Sequence, residues 1–290
     1  ISDQFLQRTG TEAGVTLQHI ILLAIVQGIT EFLPISSSGH LVLAPAITGS
    51  PDQGLLVDVA VHVGTLAAVL IYFWRDVFAM LGGFVRLLTG RINAGARLAI
   101  HIVLATIPVI AVGFYLKVSG IEEQLRSIEI IAWATLGFGI LLWIADKVGM
   151  TINRLEHMRW GGALFIGLAQ VLALIPGTSR SGITMTAARF MGYERSDAAQ
   201  FSMLMSIPVI LGAGLLAGID LHQAGNIQLN QDILLAAGLS FVTALIAIAV
   251  LMSWLKRSSF TPFAIYRILL GGALLVWIYV YDTAALPFFN

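Results

Sequence analysis

Two short polar stretches interrupt apolar segments of this chain, and they hold most of its chemistry-bearing residues. The first runs from Gln27 through Glu31 and Pro34-Ile35-Ser36-Ser37-Ser38-Gly39 to His40. Gln27 and Glu31 are four residues apart and share a helix face. A carboxylate in a bilayer costs at least ~2.5–3.5 kcal/mol, so Glu31 needs a cation or donors beside it. That is met by a hard-cation site, Mg²⁺ or Ca²⁺ on oxygens of Glu31 and Gln27, or by a Glu–Arg pair that stitches two segments together. Ser36, Ser37, Ser38 and Gly39 lead into a new half-helix, whose first N–H groups suit an anion. The second stretch, Pro176-Gly177-Thr178-Ser179-Arg180-Ser181-Gly182, repeats the device and adds a guanidinium. Two helix starts, several hydroxyls and one Arg point to phosphate oxygens, which Arg grips bidentately. Taken singly, each serine cluster reads equally as helix capping. His40 is either a packed core residue or, beside Glu31 and Ser37, a group that shuttles protons or attacks phosphorus. Thr184, one turn on, donates to a phosphate or back-bonds within its helix.

The elements that must position these residues are membrane helices. Of 290 residues, 58% are hydrophobic and 11% charged, and the mean hydropathy is +0.89. A soluble domain carries about 25% charged residues, so this chain lacks the polar surface to coat a globule. The expected fold is an all-α polytopic membrane protein, since unpaired backbone cannot face lipid. Charge is balanced, 16 basic against 16 acidic residues, which argues against a nucleic-acid partner. With no cysteine, disulfides, thiolate nucleophiles and Cys-ligated metals are excluded. Residues 1–16 read as a polar N-terminal extension without a signal-peptide pattern.

Apolar stretches of crossing length fall at 56–74, 97–116, 128–148, 199–218, 233–255 and 264–282. The two interrupted regions, 17–49 and 160–191, have halves too short to span and read as re-entrant hairpins. The segment 77–90 is helical and shorter, either interfacial or part of a bent pair with its neighbouring span. Arg75, Arg86, Arg91, Arg97, Lys147, Arg154, Arg159, Arg195, Lys256 and Arg257 all fall on one side of this topology, which places both termini outside. At an offset of 143 residues, Gln27 matches Gln170, Ser36 matches Ser179, Ser38 matches Ser181, Gly39 matches Gly182, Ala44 matches Ala187 and Gly49 matches Gly192. The reading is two repeats, 17–148 and 160–290, each a hairpin plus three spans. The odd number of crossings gives the copies opposite topology, with a site where the broken helices meet. Asp58 and His62 read as a structural or entrance-lining pair. His101, His157 and His222 lack ligand spacing, and Trp74, Trp160 and Trp254 read as interface anchors.

With Gln27-xxx-Glu31, Pro34 to His40 and Pro176 to Thr184 in view, the chain resembles the undecaprenyl-pyrophosphate phosphatase, or bacitracin-resistance protein, family from about residue 17 onward. The resemblance implies a hydrolase acting on a phosphoanhydride. Undecaprenyl pyrophosphate would become undecaprenyl phosphate and inorganic phosphate, recycling the lipid carrier for cell-wall synthesis. It implies that Glu31 and Gln27 handle the divalent cation and that Ser37 and His40 are nucleophile or acid–base candidates. Arg180, with Ser179, Ser181 and Thr184, would grip the phosphates. The family often has Glu where this chain has Gln27, which leaves one charged ligand fewer. The implied setting is the bacterial inner membrane with the active site facing the periplasm; the expected partners are the polyprenyl substrate and membrane lipid, and a homodimer is left open. A rival class, an inverted-repeat transporter or lipid-phosphate flippase, shares the architecture and the anion cradle. It has no use for a Ser–His–Glu set and releases no phosphate.

Overall fold

The computed structural model describes residues 17–37, 39–41, 54–121, 125, 127–223 and 231–280. The N-terminal extension, Ser38, residues 42–49 of the first hairpin (Ala44 and Gly49 with them) and the His222 side chain lie outside the described residues. The α-helices are α1 (Leu17–Thr30), α2 (Gly54–Tyr72), α3 (Trp74–Leu87), α4 (Ala94–Ser119), α5 (Ile128–Val148), α6 (Trp160–Gln170), α7 (Arg180–Phe190), α8 (Arg195–Gln223), α9 (Gln231–Leu255) and α10 (Thr261–Val280). Among the described residues no strand forms beyond a single bridge between Asn153 and Tyr193. Six helices, α2, α4, α5, α8, α9 and α10, are long and apolar enough to cross a bilayer. The protein is therefore an all-α, multi-pass membrane protein.

Local chemistry sets the helix ends. The Asn93 side chain accepts from the Ala96 N–H at 2.8 Å and Gly120, at φ +71°, closes the other end, so α4 outruns the expected 97–116 at both ends. Ser127 caps α5 through the Ile130 N–H at 3.2 Å, and α5 occupies 128–148 as expected. The span expected at 56–74 ends at Tyr72, and only Phe73 separates α2 from α3. At 14 residues α3 is too short to cross, and it leaves Trp74, Phe78, Leu81 and Val85 exposed along one side.

Small residues let the helices approach closely. A Cβ on Gly64 of α2 would lie 2.2 Å from the Ala237 carbonyl of α9, and Ser240 of α9 donates to the Val61 carbonyl at 2.8 Å. Helix α1 packs along α9 as α6 packs along α4, while α5 and α10 pair with each other. Beneath the helix breaks lies a core of Phe32, Phe201, Met185, Met203 and Leu204.

Both breaks use the same backbone device. Residues 31–35 form turns after α1, Ser36 takes φ +76°, and helix resumes at residue 37. Helix α6 tightens into a 3₁₀ turn, Val171–Leu174, before Ser179 takes φ +71° and α7 starts at Arg180. Positive φ costs a non-glycine residue of order 1–3 kcal/mol, so both positions store strain. Far from the breaks, a buried latch fixes the C-terminal end of α7. Asp146 accepts from Arg195 Nε at 2.6 Å and from the Phe260 N–H at 3.0 Å, with Arg189 Nε at 3.5 Å.

Candidate active site

The two breaks meet, and their charged residues pair. Arg180 Nη2 donates to Glu31 Oε1 at 2.9 Å, with side chains 13% and 8% exposed. The other carboxylate oxygen, Oε2, accepts from Gln27 Nε2 at 2.9 Å and from the Ser37 hydroxyl at 2.8 Å. Helix α1 delivers Gln27 one turn before its end, the following turn presents Glu31, and the first residue of the resumed helix supplies Ser37. Arg180 is held independently by the Ser202 carbonyl of α8, at 2.9 Å, and lies over the Phe32 ring. Such a carboxylate, with three donors including a guanidinium, is stabilised as the anion.

This cluster forms the polar end of a cavity of about 310 Å³. Glu31, Ser37, Asp58, His62, Ser179 and Arg180 line that end, and Val109, Leu174, Val209, Ile210 and Ala213 form apolar walls. Asp58 and His62 thus line the cavity as expected, with the His62 ring Nδ1 on the Asp58 carbonyl at 2.7 Å.

The remaining expected residues are placed differently. Ser36 is buried, and its Oγ accepts from the Gly39 N–H at 3.3 Å. Ser179 caps α7 by accepting from the Gly182 N–H at 3.0 Å, and exchanges a hydrogen bond with Ser181 at 3.1 Å. Ser181 also donates to the Leu33 carbonyl at 2.9 Å, which ties the second break to the first. Thr184 back-bonds to the Arg180 carbonyl at 2.9 Å and meets the Ser202 hydroxyl at 2.7 Å. The Ser36, Ser181 and Thr184 hydroxyls thus help hold the breaks in shape. His40 does not line the cavity: its Nδ1 lies 2.7 Å from the Ser36 carbonyl and its Nε2 2.6 Å from the Tyr266 hydroxyl. A carbonyl only accepts, so Nδ1 carries a proton toward Ser36. Ser38 lies outside the described residues.

Arg267, Ser202 and Tyr266 went unnoticed in the sequence. Arg267 is fully buried in α10. A lone arginine inside the apolar stretch 264–282 was the available signal.

Whether the donors fit a hard cation turns on Gln27. Its Oε1 is buried without a hydrogen-bond partner, although Nε2 of the same amide is on Glu31. An orphaned amide oxygen beside a carboxylate is the oxygen pair that Mg²⁺ or Ca²⁺ accepts. Among the described residues no three His, Asp or Glu side chains cluster as a metal cage, so further ligands would come from substrate and water. The residues present fit a cation on those terms.

A multi-pass helical protein in which two broken helices bring an acid and a guanidinium to the polar end of one apolar-walled cavity is suited to an anionic group with an apolar tail. The comparisons are specific about which such protein. Residues 20–273 match the family described as Bacitracin resistance protein BacA, and the chain belongs to that family. An "Undecaprenyl-diphosphatase" of Roseobacter denitrificans is 52% identical over 266 residues, 91% of this chain and 100% of the relative. One of Ruegeria pomeroyi is 53% identical over 262 residues, 90% of this chain and 98% of the relative. "Undecaprenyl-diphosphatase 1" of Rhodospirillum rubrum is 50% identical over 270 residues, 91% of this chain and 96% of the relative.

Proposed function

We propose that this chain is a membrane hydrolase that converts undecaprenyl diphosphate to undecaprenyl phosphate and inorganic phosphate, returning the lipid carrier to cell-wall synthesis. The observation that carries this reading is Ser37 and Arg180 converging on one Glu31 carboxylate at the polar end of an apolar-walled cavity. The diphosphate sits against Arg180 and the N-terminus of α7, and the prenyl chain lies along the apolar walls. Ser37 Oγ transfers its proton to Glu31 and attacks the terminal phosphorus. The phosphoanhydride bond breaks with undecaprenyl phosphate as the leaving group, and water then hydrolyses the phosphoserine. Arg180 and the α7 N–H groups stabilise charge on the transferred phosphoryl oxygens. Glu31 and Gln27 Oε1 would hold a divalent cation, which when bound neutralises phosphate charge.

The cavity borders Leu55 at the start of α2 and Ala213, Gly214 and Ala217 toward the end of α8. With the basic residues inside, those helix ends are outside, which supports a periplasm-facing site in the inner membrane. Two inverted repeats are supported by the matched strain at Ser36 and Ser179 and by the full burial of both Gln27 and Gln170. The same architecture suits a carrier, but a carrier has no need of a serine hydroxyl on the acid.

The test is phosphate release from undecaprenyl diphosphate by the purified protein, with and without chelator, for wild type, Glu31→Ala and Arg180→Ala. Each variant is expected to lose at least about 10³-fold in turnover. Near-full turnover in either removes that residue from the mechanism. Transbilayer movement of substrate by a wild-type protein that releases no phosphate would favour the carrier.

A further inference from the structure

Arg267 is a fully buried cation that the proposed chemistry does not use. It is wholly buried within a spanning helix, and among the described residues no carboxylate lies within ion-pair distance. Carbonyl oxygens surround it instead. Nη2 donates to Gly177 at 2.9 Å and Thr178 at 2.8 Å, Nη1 reaches Pro34 at 3.5 Å, and Nε reaches Thr135 of α5 at 3.4 Å. Pro34 belongs to the first break, and Gly177 and Thr178 belong to the second. Carbonyls in a break have lost their helical partners, and buried they would be costly to leave unpaired. One planar fork therefore joins both loops to each other and to α5. Three residues after Pro34 comes Ser37, and two after Thr178 comes Arg180, so the braced carbonyls fix the backbone that aims both reactive groups at Glu31.

We propose that Arg267 is a positioning residue: it sets the separation of the two breaks, and thereby the alignment of Ser37 and Arg180, without touching substrate. This rests on the hydrolase reading above. It does not line the cavity. A lysine cannot reproduce the brace, because an ammonium lacks the rigid fork that reaches separate carbonyls.

The experiment compares wild type, Arg267→Gln and Arg267→Lys as purified folded protein, by steady-state phosphate release and by amide hydrogen exchange. Loss of alignment is expected to lower kcat by about 10²-fold, as a misplacement near 1 Å does, with KM within about threefold. Exchange in 33–37 and 177–181 is expected to rise at least about tenfold, with α2 and α9 unchanged. Where neither replacement yields folded protein, Gly182→Ala takes their place, since its Cβ would come 2.6 Å from Arg267 Nη1 and push the guanidinium aside. Wild-type kcat in these variants, or a rise in KM alone, overturns the proposal. So does exchange that rises equally throughout the molecule, which marks general stabilisation. If wild type releases no phosphate, the hydrolase reading falls by itself, while localised exchange still decides whether Arg267 braces the breaks.

Discussion

Replacing Glu31 with Gln, Arg180 with Gln, and both together measures what joins the two halves of the site. The charges are 2.9 Å apart, so at an effective dielectric near 20 their gross attraction is about 6 kcal/mol. Taking both ions out of water offsets most of that. Each partner also keeps other bonds when its mate is neutralised: Arg180 retains the Ser202 carbonyl, and Glu31 retains Gln27 and Ser37. The cavity beside them has room for water. Each single change should therefore cost about 2–3 kcal/mol, below the 3–5 of a sealed pair that loses one member. The double change strands no charge, and should cost no more than the worse single, for a coupling of at least about 2 kcal/mol. Denaturant unfolding in detergent, followed by tryptophan fluorescence, reads all four proteins. Single costs that simply add, to within about 0.5 kcal/mol, would refute the idea that the pair acts as a unit. Turnover gives an independent arm, in which the double variant should be no slower than the worse single.

Ser37→Ala should lose about 10³-fold or more in turnover, and labelled substrate should leave phosphate on Ser37 of a rapidly quenched wild type. A nearly active variant and an unlabelled serine would make water the nucleophile. Ser179→Ala removes the α7 cap and should cost about 1 kcal/mol, whereas Ser179→Gly should be nearly neutral because glycine relieves the positive φ. Equal losses in unfolding experiments would dispose of the strain argument. Asp146→Ala leaves Arg195 Nε and the Phe260 N–H without their shared acceptor and Arg189 without its counter-charge, and should cost about 3–5 kcal/mol with KM of the folded fraction unchanged. A cost below about 1 kcal/mol would mean the latch contributes little.

Features set by local pattern were legible in the sequence. The stretch 128–148 became α5 residue for residue because its apolar run and Ser127 cap need no distant partner. Glu31 and Arg180 were identifiable because a charge in an apolar segment is costly wherever it sits. Hydroxyl roles were not legible, since they depend on which helices adjoin. Thr184 back-bonds within its helix, one of the two readings open to it, but its contact with Ser202 and that of Ser181 with the Leu33 carbonyl are fixed only when the helices converge. His40 was paired in sequence with Glu31, but the fold turns its ring to Tyr266, 226 residues away.

Charge balance at the cavity leads to one last expectation. Glu31 cancels Arg180, so among the described lining residues Arg180 leaves no surplus positive charge for a diphosphate. The N-terminus of α7 contributes only about half a charge. A divalent ion held by Glu31 and Gln27 would supply the missing positive charge, and Gln27 keeps the site less negative than a second carboxylate would. Gln27→Glu should therefore bind Mg²⁺ or Ca²⁺ more tightly, by about tenfold if the added carboxylate contributes about 1.4 kcal/mol to the ion. In the presence of chelator the same variant should bind substrate more weakly than wild type, because a second carboxylate then lies against Glu31, behind the cavity wall, and makes the polar end more negative. Calorimetric titration with cation, and separately with substrate under chelator, reads both signs. Unchanged affinity in both titrations would place the cation elsewhere and return Gln27 to being a hydrogen-bond donor for Glu31.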